Sequence, residues 1–158
     1  MSLDAAQEVS VEIAATPAQC LEVLLDFERY PAWSSAVSKA RILERDDDGV
    51  GRIVEFAVDA KVKTIRYVLE YRYKRPGSLT WKSIEGDVES IEGYYKLRKL
   101  GAERTEATCR QEITLGFWLP GPLRRLAERT ALVQSVNEFR DAVERQVATP
   151  PGKRPRKG

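Results

Sequence analysis

The chain has 158 residues, 42% hydrophobic and 32% charged, and its formal net charge of +2 arises without a single histidine. This size and balance suit one globular domain with a core large enough to hold a cavity, and the missing imidazole excludes histidine-based triads and histidine-ligated zinc. Cys20 and Cys109 lack CxxC spacing and metal-type neighbours, so two buried reduced thiols are expected, with no metal and no cofactor.

Met1 to Glu8 carry little structural signal and read as an N-terminal lead. No signal-peptide pattern appears, and no apolar run approaches the roughly 18 residues that span a bilayer, so a cytoplasmic location is expected. Val9 to Ile13 alternate as VSVEI, which predicts a half-buried strand. Thr16 predicts a helix N-cap with Pro17 in the first turn, and Cys20, Leu21, Val23, Leu24 and Phe27 form the apolar face of that helix. In FERYPAW, Phe27 to Trp33, Pro31 predicts that Tyr30 leaves helical geometry. The aromatics around that break read either as a plug between helical turns and sheet or as a rim over a cavity.

From Val37 the pattern changes to a period near two. Val37 to Arg45, Arg52 to Ala60, Lys63 to Lys74, Leu79 to Glu85, Ser90 to Leu100 and Thr105 to Phe117 all read as strands. DDDG at Asp46 to Gly49, RPG at Arg75 to Gly77 and the Gly101 to Glu103 stretch are turn sequences. Such short connections imply an antiparallel meander, because a parallel pairing needs a crossover of a dozen or more residues. With helices after the first strand and at the end, the class is α+β.

Pro120 to Val147 reads as one helix, about 40 Å long at 1.5 Å per residue. Leu123, Leu126, Thr130, Val133 and Asn137 form one stripe along it, and Leu132, Val136, Phe139, Val143 and Val147 an adjoining one. Pro122 suits its first turn, and Pro150 and Pro151 stop it. Residues 9–147 thus form the domain, and residues 148–158 an expected disordered tail. Lys153, Arg154, Arg156 and Lys157 lie in that tail, and without them 22 basic residues face 24 acidic ones. The body therefore argues against a specific nucleic-acid face. The tail reads as a solubilising terminus or as a weak contact with anionic lipid or nucleic acid.

Strand parity assigns the faces. Ile65, Tyr67, Leu69, Tyr71 and Tyr73 share one side, opposite Arg66, Glu70, Arg72 and Lys74. Val54, Phe56 and Val58 join the apolar side, as do Leu79, Trp81 and Ser83, then Ile91, Gly93, Tyr95 and Leu97, then Ala107, Cys109, Gln111, Ile113 and Leu115. One face of the sheet is strongly apolar and aromatic, a natural seat for the last helix.

The stretches FERYPAWSSAVSKARILERDDDG, SLTWKSIEGDVESIEGYYKL and TEATCRQEITLGFWLPGPLRRLAER resemble the START-like or SRPBCC superfamily, in particular its bacterial polyketide cyclase/dehydrase-like and coenzyme Q-binding-like branch. The resemblance covers about residues 9 to 147. It implies a helix-grip fold: a curved seven-stranded antiparallel sheet around the long C-terminal helix, two short helices closing one end, and a hydrophobic cavity between sheet and helix. Similar proteins include aromatase/cyclases, lipid and quinone carriers and hormone receptors, so the fold does not select the chemistry.

On that footing the expected cavity wall comprises Phe56, Tyr67, Tyr71, Trp81, Ser83, Tyr95, Cys109 and Gln111 from the sheet, with Leu126, Thr130, Val133 and Asn137 from the helix. Val136, Phe139 and Val143 are expected to serve mainly as packing. Binding or carriage of a lipid, quinone, isoprenoid or polyketide needs no more than such a wall. A cyclase or dehydratase would in addition need positioned acid/base groups, for which Glu85 and Tyr95 are the candidates, with Gln111 and Asn137 orienting substrate. Glu85 and Asp87 read first as a solvated loop pair, and Gly86 signals a turn or bulge that leaves their directions open. Arg124 and Arg125 open the helix, where cations oppose its dipole, and read as solvated charges or as an anionic-headgroup site at the cavity mouth. A regulatory interaction protein is the third reading.

Overall fold

A computed structural model describes residues 6–59, 63–114 and 120–148, the side chain of Leu123 excepted. Its strands are β1 (Ala6–Ile13), β2 (Val37–Arg45), β3 (Gly51–Asp59), β4 (Thr64–Lys74), β5 (Ser78–Gly86), β6 (Ser90–Gly101) and β7 (Arg104–Thr114). Between β1 and β2 lie α1 (Pro17–Leu25), a 3₁₀ turn (Phe27–Arg29) and α2 (Tyr30–Trp33), and α3 (Gly121–Ala148) closes the chain. The strands form one antiparallel sheet of order β1-β7-β6-β5-β4-β3-β2. The α+β helix-grip architecture expected from the sequence is the one found.

Local chemistry explains the element ends. Thr16 caps α1 through a reciprocal pair: its hydroxyl accepts from Gln19 N at 3.2 Å, and its own N–H donates to Gln19 Oε1 at 2.9 Å. Two orphan donors of the first turn are thereby satisfied. Tyr30 departs from expectation. Its φ of −52° and ψ of −40° are helical, because Pro31 sits in the first turn of α2, where a missing N–H costs nothing.

The strand boundaries also differ at the N-terminus. β1 starts at Ala6, since Gln7 and Glu8 pair with Gln111 and Arg110 of β7, so residues 6–8 belong to the sheet and not to a lead. Lys63 precedes β4 as a bend. Ala148 is helical and does not belong to the tail. The expectations for residues 1–5, 60, 115–117 and 149–158 lie outside the described residues.

The core forms where α1, the 3₁₀ turn and α3 meet the inner face of the sheet. Ile13, Leu21, Leu24, Phe27, Val54, Leu79, Val136, Phe139 and Val143 are all essentially excluded from water. Thr105 is the polar member of this region, and its hydroxyl donates to Ala15 O at 2.7 Å. Two contacts set the level of α3 along β1: Glu144 Oε2 accepts from Ala14 N at 2.9 Å, and Arg129 Nη1 donates to Glu8 O. On the outer face Arg66 bridges Glu55 and Glu85, and Arg52 bridges Glu44 and Glu70. No helix among the described residues is long and apolar enough to cross a membrane.

Candidate functional site

The inner face of the sheet carries a continuous belt of rings. From Tyr67 it passes to Phe56 (5.7 Å between centroids), Tyr71 (6.3 Å), Trp81 (6.1 Å), Tyr95 (5.9 Å) and, on α3, Phe139 (5.0 Å). Trp33 stands 6.1 Å from Phe139, and Tyr30 joins Trp33 at 4.8 Å, so the FERYPAW aromatics close the belt as a packed plug. The Tyr30 hydroxyl donates to Leu24 O at 2.6 Å. These tilted pairs lie in the spacing at which ring quadrupoles attract.

The expected sheet residues converge as parity requires. Phe56, Tyr71, Tyr95 and Cys109 are buried, and Tyr67, Trp81, Ser83 and Gln111 are half-buried beside them. Trp81 Nε1 donates to Gln111 Oε1 at 3.3 Å, an arrangement that Gly93 makes possible. Gly93 lies between the two in register, and a Cβ there would stand 2.7 Å from the indole and 2.5 Å from Arg110 O. Ser83 is engaged with the backbone, its hydroxyl accepting from Ile91 N at 2.8 Å just beyond the last β5–β6 pair.

Burial sets the electrostatics of the wall. It pushes the Tyr67 phenol up to about 12 and the Cys109 thiol up to about 12. Burial likewise raises Tyr71 and Tyr95 well above the usual phenol range, reinforced by the mutual proximity of Tyr30, Tyr71, Tyr95 and Cys109. These groups are therefore neutral near pH 7 and act as hydrogen-bonding groups, not as anionic nucleophiles. The Tyr67 and Tyr71 hydroxyls make no hydrogen bond to another described residue. Among the described residues no cluster of His, Cys, Asp or Glu could hold a metal ion.

Glu85 is not on this wall. Leu69 pairs with Ser83 but Val68 with Glu85, so Ile84 is an extra residue and the alternation inverts after it. Gly86 permits the bulge with φ of +139°, and a Cβ there would lie 2.5 Å from Tyr67 Cα. The Glu85 carboxylate consequently emerges on the outer face, accepting from Arg66 Nη1 at 3.1 Å, while Asp87 accepts from Arg66 N at 2.8 Å. An acid/base role for Glu85 inside the fold is thus ruled out by the bulge.

The helical part of the expected wall is also displaced. Phe139 points to Tyr95 and Trp33, and a helix turns about 100° per residue, so Asn137 lies about 200° away from it and Thr130 likewise from Leu132. Leu126 is 65% exposed. Thr130, Val133 and Asn137 instead line an open groove of about 480 Å³ with Arg129, Gln134, Glu138 and Asp141, and Val133 also packs against the edge of the core. Of the two adjoining stripes, the one through Leu132, Val136, Phe139 and Val143 faces inward.

Followed toward the start of α3, that inward line carries charge, which apolar patterning along the helix does not reveal. Arg124, Arg125 and Glu128 are half-buried, whereas Leu126, Ala127, Arg129, Thr130 and Ala131 are exposed. Glu128 stands four residues before Leu132 and seven before Ser135, the spacing that could have placed it inward. Both its carboxylate oxygens and Arg124 Nε are buried without a hydrogen-bond partner. Burial raises the Glu128 pKa and Arg124 partly offsets it.

The family described as polyketide cyclase/dehydrase and lipid transport matches residues 13–140. A START superfamily protein from Mycobacterium smegmatis superposes with a TM-score of 0.83 at 20% identity, covering 89% of this chain and 98% of that one. The Zhui aromatase/cyclase from Streptomyces sp. R1128 does so with 0.79 at 21%, covering 91% and 96%. The di-domain aromatase/cyclase StfQ of the steffimycin biosynthetic pathway gives 0.71 at 16%, covering 89% of this chain and 45% of that one. No curated protein matches by sequence.

Proposed function

The chain belongs to the polyketide cyclase/dehydrase and lipid transport family, and we propose that it binds an apolar, ring-containing small molecule between the inner face of the sheet and α3. The observation that carries this reading is the ring belt from Tyr67 to Phe139, in which the Tyr67 and Tyr71 hydroxyls make no hydrogen bond to another described residue. An apolar wall supplies the driving force, and a few oriented polar groups supply selectivity. Neutral phenols on an apolar wall suit ketone or phenol oxygens, to which a hydroxyl can donate.

Extraction of the purified protein with organic solvent followed by mass spectrometry, combined with tryptophan-fluorescence titration of quinones, isoprenoids and fatty acids, tests the proposal. Trp81 should report saturable quenching by a ring-containing ligand. Absence of any bound species, with no saturable response across the panel, would reject it.

A cyclase is the second reading, and the same two phenols favour it, since they could orient successive ketones of a poly-β-ketone. Tyr71→Phe and Tyr67→Phe would then slow turnover of a substrate mimic with little change in stability. Equal turnover by both variants and the parent would dismiss it.

A further inference from the structure

On the outer face of the sheet most cations meet a carboxylate, as Arg66, Lys82, Arg98 and Arg104 do. Two adjacent cross-strand rows break that pattern. One runs Arg72, Thr80, Tyr94, Arg110 across β4, β5, β6 and β7, and the next runs Lys74, Ser78, Lys96, Thr108. Arg72, Lys74, Lys96 and Arg110 are exposed, and none of them forms an ion pair with a described residue. The one carboxylate in these rows is Glu8, opposite Arg110 on β1, and it accepts from the Tyr94 hydroxyl at 3.5 Å.

Strand spacing fixes the geometry of the cations. Lys74 and Lys96 flank Ser78 at two strand spacings, about 10 Å between backbones, and the two rows lie about 7 Å apart along the strands. Lys96 is held in place, its Nζ standing 4.8 Å from the centre of the Tyr94 ring, so less side-chain freedom is lost when it meets an anion. The patch is also bounded. Glu70, Glu92 and Glu112 occupy the next row on one side, and Glu106 and Glu12 the next on the other.

A polyanion broader than two rows meets those carboxylates, which disfavours a nucleic-acid duplex or a membrane surface. The Tyr94 ring lies under Lys96 and offers no platform for a base. Leu43, Ile84 and Leu126, the exposed large hydrophobics, lie outside both rows, so the patch has no apolar anchor for a bilayer. Carboxylates three residues apart in an extended peptide stand about 10 Å from each other and span Lys74 and Lys96. We infer that this face docks an acidic peptide segment of a partner protein, with Arg72, Lys74 and Lys96 as its contacts. Arg72 takes a carboxylate through paired N–H groups, and the lysines act as point charges. A patch this small suits a transient, electrostatically steered complex.

Fluorescence anisotropy with a fluorescein-labelled Glu-Ser repeat peptide tests this in the parent, in Lys96→Glu and Arg72→Glu, and in a variant with Lys153, Arg154, Arg156 and Lys157 all changed to serine. Thermal unfolding checks each protein, and Lys96→Gln and Arg72→Gln replace any glutamate variant that fails to fold. The parent should bind the peptide saturably, and more weakly as salt rises. Each outer-face variant should lose at least about ten-fold in affinity, while the tail variant stays within about two-fold. No saturable binding to the parent, a loss that follows the tail and not the outer face, or tighter binding of oligothymidylate or phosphatidylglycerol vesicles than of the peptide overturns the inference.

Discussion

Phe139 is excluded from solvent, and its ring meets Tyr95 on the sheet and Trp33 on α2. Truncation to alanine leaves a cavity at the junction of three elements that cannot all close on it. Phe139→Ala is expected to cost about 3–5 kcal/mol in urea unfolding. Asn137 is the contrast: it borders the open groove, so Asn137→Leu should leave binding of a ring ligand unchanged, the reverse of what its stripe suggested. Glu128 makes a prediction of opposite sign to most buried polar residues. Its folded pKa is raised from the ordinary 4.5, so the folded state holds the proton more tightly than the unfolded one. Stability is then greatest below 4.5 and declines as pH rises through the folded value. Glu128→Gln removes that loss. Thermal unfolding of the unliganded protein should show the variant more stable than the parent at pH 7, with the difference shrinking toward pH 4.

At the scale of elements, two glycines in strands do more than any helix propensity to shape the wall. Gly86 lets β5 bulge and turns Glu85 onto the outer face, and Gly93 lets the Trp81 indole cross β6 to Gln111. A glycine inside a strand marks such places, because removing the Cβ allows backbone or ring to approach. Gly93→Val should displace the indole. Overpacking of this kind costs about 1–3 kcal/mol, and the variant should show altered tryptophan emission and near-ultraviolet circular dichroism with an unchanged far-ultraviolet spectrum. The ring belt was legible from alternation alone, since each strand contributes every second residue. The direction of Glu85 was not, because one inserted residue inverts parity, and a glycine announces a bulge without saying which side it favours.

Across the whole molecule, a ligand bound only by the folded state raises stability by mass action. At one hundred times its dissociation constant the gain is about 2.7 kcal/mol, or about 5–10 °C in Tm for a domain of this size. Differential scanning fluorimetry over a ligand dilution series should follow that logarithmic dependence. The meander, the capped first helix, the long last helix and the aromatic inner face were all readable along the chain, because periodicity, caps and turns are written in neighbouring residues. Which stripe of α3 faces inward was not, and it took the packed fold to choose. Both stripes are apolar enough to be core, and the choice rests on Phe139 meeting Tyr95 and Trp33, rings supplied by distant strand and helix. That one rotation turns Thr130 and Asn137 outward, and it leaves Glu128 and Arg124 half-buried.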